Sequence, residues 1–182
     1  MSNANAQPVD IAPYAEQIMR SIPKGVLLTT KSGDKVNTMT IGWGTLGFEW
    51  ATPVFTAFVR EGRFTNQMLQ EHGEFTINVP YGEYDRSILG LCGSRSGRDH
   101  DKITEAGLTL VEPRVIGVPA IQEFPLTLEC RVVYAQLQDL SLLDQRFMDF
   151  YPQDVDSSAP GANRDAHVAY YGEVVAAYIV GE

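Results

Sequence analysis

The sequence predicts a mainly β domain, an antiparallel barrel or sandwich with short helical excursions. Three observations predict it. β-rich runs recur along the chain, separated by turn residues. The helical segments between them are short and do not alternate with strands in a βαβ rhythm. No G-x-G-x-x-G follows a strand, which disfavours a dinucleotide-binding Rossmann domain.

The elements follow in order. Residues 12–21 put Tyr14, Ile18 and Met19 on roughly one helical face, and Pro23 closes that helix. GVLLTTK (25–31), Ser32-Gly33-Asp34 and KVNTMTIGW (35–43) read as strand, tight turn and strand. PVFTAFV (53–59) is a further strand. A short helix over 64–73 ends at Gly73, and the strand EFTINV (74–79) stops at Pro80. Segment 84–106 is helical in pattern but interrupted by the small residues of CGSRSGR (92–98). In 125–137, Leu126, Leu128, Cys130 and Val132 alternate with Thr127, Glu129 and Arg131, which predicts a half-buried strand. Residues 143–151 suggest a short helix and 153–165 a polar surface loop. A last long strand is expected over 167–180, with a bulge at Gly172.

Composition bounds the function. The 182 residues fit one ordinary domain with a core of useful size. A net charge of −9 argues against nucleic acid or an anionic membrane as a standing partner. Cys92 and Cys130 make neither a disulfide framework nor a zinc pattern, and read as free thiols of a reducing compartment. The first ten residues lack the basic and apolar regions of a signal peptide, and no run is apolar for the length of a spanning helix. A cytoplasmic protein is expected.

Three segments carry chemistry. In NTMTIGWGTLG (37–47), Asn, Thr and Gly offer donors and acceptors along a strand edge. Gly42, Gly44 and Gly47 permit close approach of a flat, heteroatom-rimmed ring. The same residues suit a Gly-rich barrel strand with Trp43 in the core. In VREGRFTNQML (59–69), Arg60 and Arg63 precede a helix start near Phe64 and Thr65, an arrangement suited to phosphate or to two solvated arginines. LCGSRSGRDHDK (91–102) packs Ser94, Arg95, Ser96, Gly97, Arg98 and Lys102 into a short loop, again suited to an anion. Asp99, His100 and Asp101 find no matching ligands elsewhere, so no metal is expected. Asp99 reads as a helix N-cap or as a partner for Arg98 or Lys102.

These motifs, in order with GEFTINVP and C-G-S-R-S-G-R-D-x-D-K, resemble the flavin reductase-like, FMN-binding split-barrel family in its flavoredoxin-type branch. The final AHVAYYGEVV resembles that family's Gly-Asp-His strand, although the triplet reads Asp165-Ala166-His167 here. The resemblance covers residues 20–180. It implies an FMN-binding split β-barrel, Greek-key-like and antiparallel, as a single domain over 1–182 with residues 1–20 as an N-terminal extension and helix. It further implies that Asn37, Thr38, Met39 and Thr40 line the isoalloxazine and ribityl chain, with Ile41, Trp43 and Gly44 continuing the wall. Arg60 and Thr65 would hold the phosphate beside Phe64, and Ser94, Arg95, Ser96 and Lys102 would close the site. His167 would stand near the reactive face as the catalytic candidate, orienting the flavin or a nicotinamide. The implied function is an oxidoreductase passing electrons between NADH or NADPH, FMN and an acceptor, in a homodimer with the flavin at its interface. The alternative is an FMN-holding electron carrier without a productive nicotinamide site. Tyr170 and Tyr171 read as packing residues rather than flavin stackers.

Overall fold

A computed structural model describes residues 10–154 and 163–181. Helix α1 (Ala15–Ser21) precedes β1 (Val26–Ser32), β2 (Lys35–Ile41), β3 (Gly44–Glu49) and β4 (Thr52–Arg60). Helix α2 (Phe64–His72) leads into β5 (Glu74–Val79), and α3 (Ser87–Ser94) and α4 (Lys102–Glu105) follow. Short β6 (Leu110–Val111) and β7 (Ala120–Ile121) form their own ribbon before β8 (Leu126–Leu137) and β9 (His167–Ile179). Seven strands make one sheet in the order β2-β1-β5-β8-β9-β4-β3, every pairing antiparallel.

The sheet curls so that alternate residues face one apolar interior: Val26 and Leu28, Phe55 and Ala57, Phe75 and Ile77, Leu126 and Leu128, Val168 and Tyr170. At Gly172 a Cβ would stand 2.5 Å from Phe75 Cζ, so glycine makes room for that ring. The irregularities of the β8–β9 ladder fall elsewhere, where Val175 and Val133 drop out of register.

The structure changes three expectations. Residues 37–47 are not one strand: the chain breaks at Gly42–Trp43, and β3 leaves to pair with β4. The start of β8 is buried on both faces rather than half-buried, because residues 108–124 cover its outer side. There the fully buried Glu129 carboxylate accepts from the amides of Arg114, Val115 and Ile116 and from the Tyr178 hydroxyl. Residues 145–150 form a 3-10 rather than an α-helix. Most of the predicted 153–165 loop lies outside the described residues. No described helix is long and apolar enough to cross a membrane.

Candidate functional site

The sheet's order leaves a seam. β2 is a terminal strand, so one of its edges carries main-chain groups that no neighbouring strand pairs, and β4 stands across from it. Two cavities follow this seam. One, of about 180 Å³, is lined by Met39–Trp43, Phe58, Arg60, Arg63 and His167. The other, of about 160 Å³, is lined by Asn37, Gly62, Phe64, Thr65, Cys92, Gly93, Arg95–Arg98 and Lys102. Met39 and Arg63 line both, which makes them two ends of one trough.

The second end is built to hold an anion. Lys102 is only 4% exposed, and its Nζ donates to Cys92 O at 3.3 Å. Among the described residues that is its one hydrogen bond, so an ammonium with three donors keeps spare ones inside the cavity wall. Burial pulls its pKa down to about 8, with Arg63 adding to the fall and Cys92 opposing it. Beside it Asn37 Nδ2 donates to Thr65 Oγ1 at 2.9 Å, leaving the Thr65 hydroxyl proton free to be donated in turn. Thr65 sits in the first turn of α2, where amide N–H groups carry partial positive charge. Gly97 lies so close to this pair that a Cβ would stand 2.1 Å from Asn37 Oδ1. Arg98 donates to Gly62 O at 3.1 Å, and its guanidinium carbon lies 5.4 Å from the Phe64 ring centre.

The first end is aromatic. Trp43 lies 4.8 Å from the His167 ring and 5.2 Å, edge-on, from Phe150. His167 is buried, pairs in register with Arg60, and has Nδ1 2.9 Å from the Tyr151 hydroxyl. Burial and then the Arg60 charge drive its pKa down to about 4, against the smaller pull of Asp165, so the ring is neutral at physiological pH.

The structure brings Asn37, Met39, Phe64, Thr65, Arg95, Ser96 and Lys102 to the anion end, and Met39, Thr40, Ile41, Trp43, Arg60 and His167 to the aromatic end. Some donors there are already engaged. Thr40 Oγ1 donates to Leu89 O, Ser96 Oγ accepts from the Arg98 amide, and Arg95 is ion-paired with Glu105. Three expected residues lie outside the trough. Thr38 points to the opposite face of β2, where its hydroxyl meets Thr29 Oγ1 at 3.0 Å. Gly44 faces Phe55, which a Cβ would meet at 2.8 Å. Ser94 turns back to Gly90 O at 2.8 Å. Arg60 is placed differently from the expectation: its guanidinium donates to the carbonyls of Phe150, Asn163 and Asp165 at the His167 end. Arg63, the second arginine of the same motif, lines both ends instead.

Lining residues that the motifs did not single out as contacts are Phe58, Gly62, Cys92 and Gly93; the last three fall within the motifs at 59–69 and 91–102, and Phe58 carries no signal beyond its place in a strand. The altered triplet still joins the site, since Asp165 Oδ2 accepts from the Gly62 amide at 2.8 Å. Trp43 is 39% exposed rather than a core residue. Tyr170 packs in the core with its hydroxyl on Asn66 Oδ1, and Tyr171 stacks with Trp50 and Tyr134. Asp101, not Asp99, caps α4, and His100 pairs with Glu105. No metal-binding group of His, Cys, Asp and Glu occurs among the described residues.

The family description "Flavin reductase like domain" matches residues 19–182. An uncharacterized protein of Archaeoglobus fulgidus is 32% identical over 111 residues, 61% of this chain and 62% of its own. YddH of Escherichia coli is 30% identical over 125 residues, 67% of this chain and 65% of its own. The chain therefore spans less than two thirds of the length of these relatives. Among solved structures, flavoredoxin of Desulfovibrio vulgaris (Miyazaki F) superposes with a TM-score of 0.62 at 20% identity, over 86% of this chain and 69% of that one. Flavoredoxin from Methanosarcina acetivorans gives 0.61 at 23% identity, over 100% and 75%. With its split-barrel fold and a match over nearly its whole length, the chain belongs to the flavin reductase-like family.

Proposed function

We propose that the chain binds FMN along the seam and serves as an oxidoreductase, an NAD(P)H-dependent flavin reductase or a related flavoprotein. The observation that carries this reading is Lys102, a buried ammonium with spare donors at one end of a trough whose other end is aromatic. A phosphomonoester suits the first end and a flat ring the second. Lys102, the Thr65 hydroxyl, Arg63 and Arg98 would hold the phosphate. The unpaired edge of β2 would meet the ring's rim with alternating N–H and C=O groups, and Met39 and Trp43 would bound its faces. When bound, the flavin supplies the redox chemistry, so no side chain need act as nucleophile. The protein's share is orientation and electrostatics. Arg60 supplies fixed positive charge at the ring end, and neutral His167 supplies a hydrogen-bonding ring without a second charge.

A homodimer belongs to the same proposal. Phe48, Trp50, Leu142 and Phe147 are exposed apolar side chains, 77%, 58%, 84% and 46% accessible, and Trp50 joins Tyr134 and Tyr171 in an aromatic cluster on the sheet's outer face. A surface of that kind suits a second copy of the chain.

Anaerobic titration tests the reading. Purified protein loaded with FMN is mixed with NADH or NADPH, and the flavin absorbance is followed. Bleaching by either nucleotide supports the reductase. Reduction by dithionite alone replaces it with the carrier alternative, and failure to retain FMN removes both.

A further inference from the structure

We infer that Arg98 makes the anion end of the trough a terminus, so that the site selects a flavin ending in a monophosphate over one extended by a second phosphate and a nucleoside. This rests on the flavin reading above and concerns its specificity. Arg98 spans the trough's mouth: it leaves the loop after α3, donates to Gly62 O on the loop after β4, and lies against Phe64. Lys35 Nζ also stands 4.8 Å from the centre of the same ring. Arg98 therefore belongs to two walls at once. It lines the small anion cavity on one side, and on the other a wider cleft of about 490 Å³ bounded by the β1–β2 turn and residues 98–110.

The route outward past Arg98 leads from the anion cavity into the wider cleft, where a dinucleotide flavin taking it would lay its remaining half. Two costs oppose that path. The Arg98–Gly62 bridge must open, which exposes a carbonyl and a guanidinium to new partners. The cleft beyond carries the carboxylates of Asp34, Asp99 and Asp101 against the cations of Lys35 and Arg98. The second phosphate would thus pass from a cavity rich in cations into one that also presents negative charge. A terminal phosphate needs neither step. It would sit in the cavity that Lys102 and Arg98 both line.

The test compares FMN and FAD on the apoprotein by calorimetry, in the wild type and in Arg98→Met, which keeps an unbranched stem on Phe64 but deletes the bridge. The wild type is expected to bind FMN at least ~10-fold more tightly than FAD. In Arg98→Met both flavins lose the Arg98 charge, but only FAD is spared the opening of the bridge, so the FMN-over-FAD affinity ratio is expected to fall roughly five- to tenfold, the scale of one hydrogen bond no longer broken on entry. Equal wild-type affinity for the two flavins overturns the inference and leaves the flavin reading standing, as does an Arg98→Met variant that keeps the wild-type FMN-over-FAD ratio. Binding of neither flavin to the wild type overturns the flavin reading itself.

Discussion

Asn37 and Thr65 stand 28 residues apart in sequence, yet the Asn37 amide donates to the Thr65 hydroxyl across 2.9 Å at the buried end of the trough. That one bond ties the terminal strand β2 to the first turn of α2 and aims the hydroxyl proton of Thr65. Gly97 presses against it with no room for a side chain. Gly97→Ala is therefore expected to displace Asn37, lowering stability by roughly 1–3 kcal/mol, as overpacking of a close contact does. It should weaken FMN retention at the same time. Chemical denaturation and FMN titration of the variant check both effects.

Lys102 gives the anion end a pH dependence with a defined sign. Its ammonium is the form that attracts phosphate, and its pKa has been lowered to about 8. Affinity for FMN is expected to be highest below that pH and to fall as pH rises through it, by about 10-fold or more, the scale of a charge-assisted hydrogen bond. Lys102→Met should bind FMN weakly with little of this slope. Fluorescence titrations from neutral to alkaline pH check it.

The two arginines of the R-x-x-R motif are expected to separate. Arg60 holds three main-chain carbonyls of residues 150–165, so Arg60→Ala should destabilise the fold by roughly 1–3 kcal/mol through those unpaired acceptors, with a smaller effect on FMN affinity. Arg63→Ala should do the reverse. Paired denaturation and FMN-binding curves for the two variants measure this directly; equal effects in both would refute the assignment.

His167 links stability to acid. Its folded pKa of about 4 lies below the ordinary 6.5, so the unfolded chain binds the proton more readily than the folded one. The stability this neutral ring contributes is complete above 6.5 and is lost as pH falls towards 4. In His167→Asn that part of the acid dependence should disappear. The difference between the two denaturation profiles over this window is the measurement.

Glu129 anchors the segment that covers β8. Glu129→Gln offers one acceptor oxygen where the carboxylate offers two, and faces three amides and a hydroxyl. A loss of about 1–3 kcal/mol is expected for each donor left unpaired, without change in FMN affinity of the surviving folded protein. Thermal melts with and without FMN check it.

Much of this was legible in the sequence, for reasons that can be named. The turn Ser32-Gly33-Asp34, the helix stop at Gly73 and the alternation in 74–79 each carry local chemistry that fixes an element. The structure places β1, β2, α2 and β5 there. β3 was not legible because its hairpin turns on Trp50-Ala51, both at positive φ with no Gly or Asn to signal it. The double burial of Thr127 and Glu129 was hidden because polar residues at alternate positions look solvated until residues 108–124 fold over them. Within the site, residue types pointed to the right loops, but not to which arginine faces in. Arg60 and Arg63 differ in where the surrounding carbonyls lie, and those on Arg60 come from Phe150, Asn163 and Asp165, far along the chain. Thr38 failed for a simpler reason: alternate side chains of β2 face opposite sides, so the Thr38 side chain cannot join those of Asn37 and Met39 in the trough, and Thr40, on the same side as Thr38, turns its hydroxyl to Leu89 O.

The central claim is that one end of the seam is built for a phosphate attached to a ring held at the other. Calorimetric titration of the apoprotein with FMN and with riboflavin, which differ by that phosphate alone, tests it most directly. One FMN per chain is expected, bound at least ~10-fold more tightly than riboflavin, as charge-assisted contacts to Lys102 and its neighbours require. Equal affinity for the two, or no binding of either, would contradict it.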